Sequence, residues 1–265
     1  MTAIAVHDAP VARAARPQLP LRRVVGVELR KMFDTRSGFW LMASIVIASV
    51  LATGAVILFA PDSDLTFATF ATAIGFPMAV ILPMVAILSV TSEWSQRSGL
   101  TTFTMVPRRG QVVSAKAIAS VAVGVVSMLI AFGVGAVGNV VGTAITGTAR
   151  VWDVSATDLL YIVIGNVLGL LVGFMLGVLI RNSSGAIVSY FVYSLVFPSI
   201  FGILAGYQAW FRDLQPWVDF NFAQGALFNG DVTGEQWANI GVSGTIWLLV
   251  PLVVGLALVL RSEVK

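Results

Sequence analysis

Six apolar segments, near residues 39–60, 67–90, 117–141, 159–180, 185–206 and 239–260, contain no Asp, Glu, Lys, Arg or His. Each is long enough to cross a hydrocarbon core, which takes about 20 helical residues. Inside a bilayer every backbone N–H and C=O must be paired within the protein, so segments of this kind cross as helices. The pattern predicts an all-α integral membrane protein with six transmembrane helices. The stretch between Lys116 and Arg150 is also free of charge, but it is too short for two spans and a turn and counts as one. Composition agrees, since only 11% of residues are charged and 57% are hydrophobic, against about 25% charged in soluble domains.

The charges between the spans set an orientation. Lys and Arg collect on the cytoplasmic side of membrane proteins. Arg13, Arg16, Arg22, Arg23, Arg30, Lys31 and Arg36 precede the first span, and Arg97, Arg108, Arg109 and Lys116 separate the second from the third. Arg181, Arg261 and Lys265 fall on the same side, leaving only Arg150 and Arg212 opposite, among Asp62, Asp64, Asp153, Asp158, Asp213, Asp219, Asp231 and Glu235. Both termini are therefore expected in the cytoplasm, with the chain in the plasma membrane. This sidedness also accounts for the isoelectric point near 9.6; the bases are not interleaved with aromatic residues as a nucleic-acid surface would need.

Residues 1–20 contain no apolar run of signal-peptide length and are expected to form a disordered cytoplasmic tail, with residues 21–265 as a single membrane domain. From Leu21 to Phe33, the residues Leu21, Val25, Leu29, Met32 and Phe33 share one helical face, while Arg22, Arg23, Arg30 and Lys31 suit lipid headgroups. This predicts an amphipathic interfacial helix, unless the bases are only the flank of a cytoplasmic membrane crossing.

The longest polar interruption on the basic side is Thr91 to Lys116. It leaves the second span with Glu93, breaks at Gly99, carries an apolar pattern from Leu100 to Val106, turns at Pro107 and presents Arg108 and Arg109. It reads as a short helix on the membrane surface that can seat in a partner, with Phe103 and Met105 as anchors and Glu93, Arg97, Arg108 and Arg109 at the rim. The alternative is a solvated hairpin whose bases only fix topology.

Gly165, Gly169, Gly173 and Gly177 follow at four-residue steps in the fourth span and predict a bare strip for close helix packing, with Gly135 and Gly138 of the third span as neighbours. Asn139 and Asn166 are expected to bond between helices. Pro77, Pro83 and Pro198 each remove a backbone donor and are expected to bend their spans. Tyr207 to Trp237 is rich in aromatic residues and Gly, which predicts one or two short helices in the outer leaflet between spans five and six.

Much chemistry lacks material. There is no Cys, and His7 is the one His, so disulfides, thiol catalysis and His-based metal or triad chemistry are not expected. The spans hold none of the ionisable groups that ion-driven transporters use as relays. No G-x-x-x-x-G-K-[ST] loop is present to cradle nucleotide phosphates. Uphill transport would thus draw its energy from another subunit.

Taken together, these features resemble the permease subunit of type 2 ATP-binding-cassette exporters. The resemblance runs from about Leu21 to the C-terminus and is closest in the loop: Glu93 after the second span, Gly99 with Thr101, the apolar Leu100 to Val106, Pro107 with Arg109, and Lys116 opening the third span. The family's adjacent Gly-Thr step is replaced here by Gly99-Leu100-Thr101. Arg181 to Ser199 is similar to the start of the family's fifth span. The resemblance implies two paired permeases, or a permease and a sister permease, with two ATPase subunits beneath them that bind ATP and Mg; this chain itself would carry no catalytic site, metal or cofactor. Glu93, Arg97, Leu100, Thr101, Phe103, Met105, Arg108 and Arg109 would couple to the ATPase. Phe76, Met78, Met84, Tyr190, Tyr193 and Phe197 of spans two and five would line the path of a lipid, peptide or amphiphilic drug-like substrate. A transporter or channel acting alone, and a non-transporting membrane anchor, are the rival readings.

Overall fold

The computed structural model describes residues 19–95 and 109–261. An N-terminal helix α1 (Leu21–Asp34) leads into α2 (Arg36–Phe59), followed by α3 (Phe67–Ser95), α4 (Arg109–Thr146), α5 (Ala156–Ile180) and α6 (Ser183–Tyr207). Two short helices, α7 (Ala209–Val218) and α8 (Phe220–Gly225), precede the last span, α9 (Gly234–Arg261). Among the described residues there is no strand beyond one isolated bridge, Thr66 to Val151. The fold is all-α, and α2 to α6 and α9 are the six helices long and apolar enough to cross a membrane. The interval without charge between Lys116 and Arg150 is spanned by one helix.

That helix is longer than the sequence suggests. The 38 residues of α4 extend about 57 Å at 1.5 Å per residue, well beyond a hydrocarbon core of about 30 Å. Lys116, read from the sequence as the end of a loop, sits two turns inside α4.

The core is built on α3 and α5. Phe70, Met78, Leu82, Ile87 and Val90 of α3 and Leu170, Val172 and Phe174 of α5 are almost completely buried. The glycine strip of α5 makes this approach possible, but its neighbour is α3 rather than the expected third span. A Cβ on Gly173 would stand 2.7 Å from the carbonyl oxygen of Pro83, and one on Gly177 3.4 Å from the Ile87 Cα. Gly165 instead accommodates the Phe228 ring, and Gly169 meets only the Tyr190 hydroxyl at 4.0 Å. Gly135 and Gly138 of α4 face Phe70, with Ile74 beside the first and Thr53 beside the second. The asparagines also depart from expectation: Asn166 donates to Ile162 of its own helix, and Asn139 donates to the Val151 carbonyl in the loop after α4.

The prolines act in two ways. Pro77 and Pro83 lie within an uninterrupted α3. Pro198 follows a π turn at Val192–Val196 in α6, and Pro251 follows a second π turn at Thr245–Leu249 in α9. In the first turn the Phe197 N–H bonds the Val192 carbonyl, so the Tyr193 carbonyl would next await the amide of Pro198, which has no hydrogen. Asn221 of α8 supplies the missing donor at 3.1 Å. Trp247, inside the second π turn, donates from Nε1 to the Val218 carbonyl at the end of α7 (2.6 Å). The short helices expected between spans five and six are therefore bolted onto both distorted spans, and Phe220, Ala223 and Leu227 are buried against Tyr193 and Leu248.

At the opposite end of the bundle from Lys116, the linkers close over α3. Asp153 accepts from the Ala68 N–H at 2.8 Å, and Trp152 packs on Phe67.

Candidate functional site

The amphipathic helix forms where the sequence places it. The buried residues of α1 are Val24, Glu28 and Met32, at four-residue steps, whereas Leu21 and Phe33 are exposed. Val25 and Leu29 flank the buried strip. Glu28 is buried for an electrostatic reason: Lys116 of α4 lies beneath α1, and a buried ammonium requires a partner. Its Nζ donates to Glu28 Oε2 at 2.5 Å and to the Ser89 carbonyl of α3 at 3.0 Å. Glu28 Oε1 accepts from Lys31 Nζ at 2.8 Å. Both Glu28 and Lys116 are 4% exposed. Burial pushes the Glu28 carboxyl up, but the charge of Lys116 and the hydrogen bonds from Lys116 and Lys31 outweigh it and hold the group below its ordinary value.

Next to this pair runs a line of hydroxyls. Ser89 and Ser120 are 3.1 Å apart across α3 and α4, and Thr91 and Ser183 are 2.7 Å apart across α3 and α6. Ser183 is held by a tight connection. Arg181 adopts a left-handed conformation (φ 57°) that ends α5, and Asn182 caps α6 by accepting from the Gly185 N–H at 2.8 Å. Arg181 and Asn182 thus make a turn that fixes the start of α6 beside the end of α3. A second tether joins the same end, from Gln111 Nε2 of α4 to the carbonyl of Leu19 at 2.7 Å.

The last two turns of α3 are consequently a junction. Within three residues, Ser89 contacts the Lys116 head and α4, while Thr91 contacts α6. α3 then ends at Ser95 and α4 begins at Arg109. Arg97, Leu100, Thr101, Phe103, Met105 and Arg108 lie outside the described residues, as does the expected helix Leu100 to Val106. Glu93 falls on the last turns of α3 and Arg109 opens α4, their side chains outside the described set. Residues 1–18 of the expected tail also lie outside it.

The residues expected to line a path do not share one surface of this chain. Phe76 projects outward at 79% exposure, while Met78 is fully buried between α3 and α5. Met84, Tyr190, Tyr193 and Phe197 belong to the cluster under the short helices. Tyr190 donates its hydroxyl to the Ala79 carbonyl at 2.8 Å, and Phe197 stacks with Phe201 and against Trp247. Of the site residues now visible, sequence reasoning missed Glu28. The available signal was a carboxylate in the middle of the helix, four residues from Val24 and Met32, among Arg and Lys. Among the described residues no group of His, Asp or Glu could hold a metal ion. The chain matches no family model and no curated protein.

Proposed function

We propose that this chain is the permease subunit of an ATP-driven exporter, working as a pair of permeases that move a lipid, peptide or amphiphilic drug-like substrate across the plasma membrane, with both termini cytoplasmic. ATP and Mg are bound by two separate ATPase subunits. The observation that carries the reading is the buried Glu28–Lys116 pair, which joins the interfacial helix to the two spans that emerge from segment 96–108. A push on that segment reaches α1 through the ion pair and α6 through Thr91 and Ser183. Four helices, α1, α3, α4 and α6, would then move as one body. A chain with no nucleotide loop of its own needs such an input, and the sequence resemblance in the same segment agrees with it.

The reading also accounts for how charge is placed. A plain hairpin needs no desolvated ion pair at its base, because bases that only fix topology work equally well in water, and burying two charges costs several kcal/mol per ion before pairing, as an order of magnitude.

Docking is tested by co-purification. The chain is co-expressed with the ATP-binding-cassette ATPase subunits of its source genome that lack spans of their own, and the complex is isolated through a tag on the chain. Phe103→Ala removes an anchor and Arg108→Ala a rim charge; anchors carry about 2 kcal/mol or more, so Phe103→Ala releases the ATPase while Arg108→Ala largely retains it. Full retention by Phe103→Ala and by a polar replacement of Leu100 to Val106 would refute the coupling role.

A further inference from the structure

We infer that the short helices between α6 and α9 frame a binding site for a neutral, hydroxyl-rich group such as a sugar. A cavity of about 360 Å³ opens between α7, α8 and the first turns of α9, within the range of small-molecule sites, about 300–1,000 Å³. Four amides line it: Asn221, Asn229, Gln236 and Asn239. None of its lining side chains carries a charge, so an ionic ligand would find no counter-charge there.

The amides are only half used. Asn221 donates to the Tyr193 carbonyl, Asn229 donates to the Gly225 carbonyl, and Gln236 accepts from the Thr233 N–H. Each therefore has its second arm left for a ligand. Asn239 makes no side-chain hydrogen bond although it is 7% exposed, and its Oδ1 is buried without a partner. This oxygen is closed to water-sized molecules, as are those of Asn139 and Asn166, so the arm that Asn239 offers an occupant is its amide N–H₂. A hydroxyl both donates and accepts and can satisfy amide oxygens and N–H groups alike. The half-exposed Phe222 ring beside them offers an apolar platform for the C–H face of a pyranose. The inference does not depend on the transport reading.

A free saccharide and the headgroup of a neutral glycolipid share this chemistry, and the experiment separates them. The full chain is placed in phosphatidylcholine nanodiscs, which avoids sugar-headed detergents, and methyl β-glucoside is added at millimolar concentration. Saturation-transfer NMR should show contact between glucoside and protein. Asn239→Leu removes both arms at similar volume, and Ala226→Phe fills the cavity from the turn after α8 while leaving every amide in place. Each should weaken binding roughly tenfold or more, the scale of one buried hydrogen bond lost, with the melting temperature of at least one variant unchanged. Displacement of the glucoside when glucosyl-diacylglycerol is built into the discs assigns the site to a lipid headgroup; no displacement assigns it to free sugar. Absence of transfer from the glucoside together with no retention of the glycolipid overturns the site. So does undiminished binding by the variants, or transfer to glucuronate as strong as to the glucoside.

Discussion

Glu28 and Lys116 are each buried only because the other is present, and that sets what their variants do. Lys116→Met leaves a carboxylate under α1 with Lys31 as its remaining cationic partner among those described above, and breaking a buried pair from one side costs about 3–5 kcal/mol. The Glu28→Met, Lys116→Met double variant should recover much of that loss, measured by thermal unfolding in detergent. The pH dependence follows from the depressed Glu28 carboxyl. Its contribution is fully present above the ordinary value of 4.5 and is lost as pH falls through the lower native value. Acidification below that ordinary value should thus lower the melting temperature of the wild type, and Glu28→Gln should remove that part of the slope. The glycines separate in the same way. Gly173→Ala drives a Cβ into the Pro83 backbone, whereas Gly169→Ala meets nothing closer than a hydroxyl at 4.0 Å. The first should cost about 1–3 kcal/mol as overpacking and the second almost nothing; equal melting temperatures would place the strip elsewhere.

At the scale of single elements, the two π turns show how a proline is absorbed without breaking a span. Pro198 withholds a donor from the Tyr193 carbonyl, and Asn221 replaces it from another helix. Asn221→Ala should cost about 1–3 kcal/mol for the orphaned acceptor. In a Pro198→Ala background the helix can supply its own donor, so the same substitution should cost much less, a coupling that a double-mutant cycle reads directly. The elements themselves were legible: long runs without charge defined every span, because desolvation leaves the chain no cheaper choice than a helix. Their facing was less so. Apolar periodicity marked the face of α1 that carries Leu21 and Phe33, but it could not show that Glu28 packs inward on an ion pair with a residue far away in sequence. The glycine strip was visible, but not that its partner is α3, since a bare helix face does not say which backbone fills it.

Across the whole molecule, the α3 end ties together α1, α4 and α6, and the short helices tie α6 to α9 through Asn221 and Trp247. α6 is the span shared by both connections, and little of it is buried within this chain, so it has an exposed apolar face, including Val188, Leu195 and Ile203, which the proposed function would turn to lipid or to a second permease. The distribution of bases further predicts that tags at either terminus are protected from external protease while a tag beside Asp62 is cleaved. The proposed coupling is read most directly as ATP turnover by a co-purified ATPase assembled with this chain in lipid nanodiscs. Wild-type chain should raise turnover, and a polar replacement of Leu100 to Val106 should abolish the increase while the chain still inserts and melts normally. Turnover raised equally by the wild type and by that replacement would contradict the coupling.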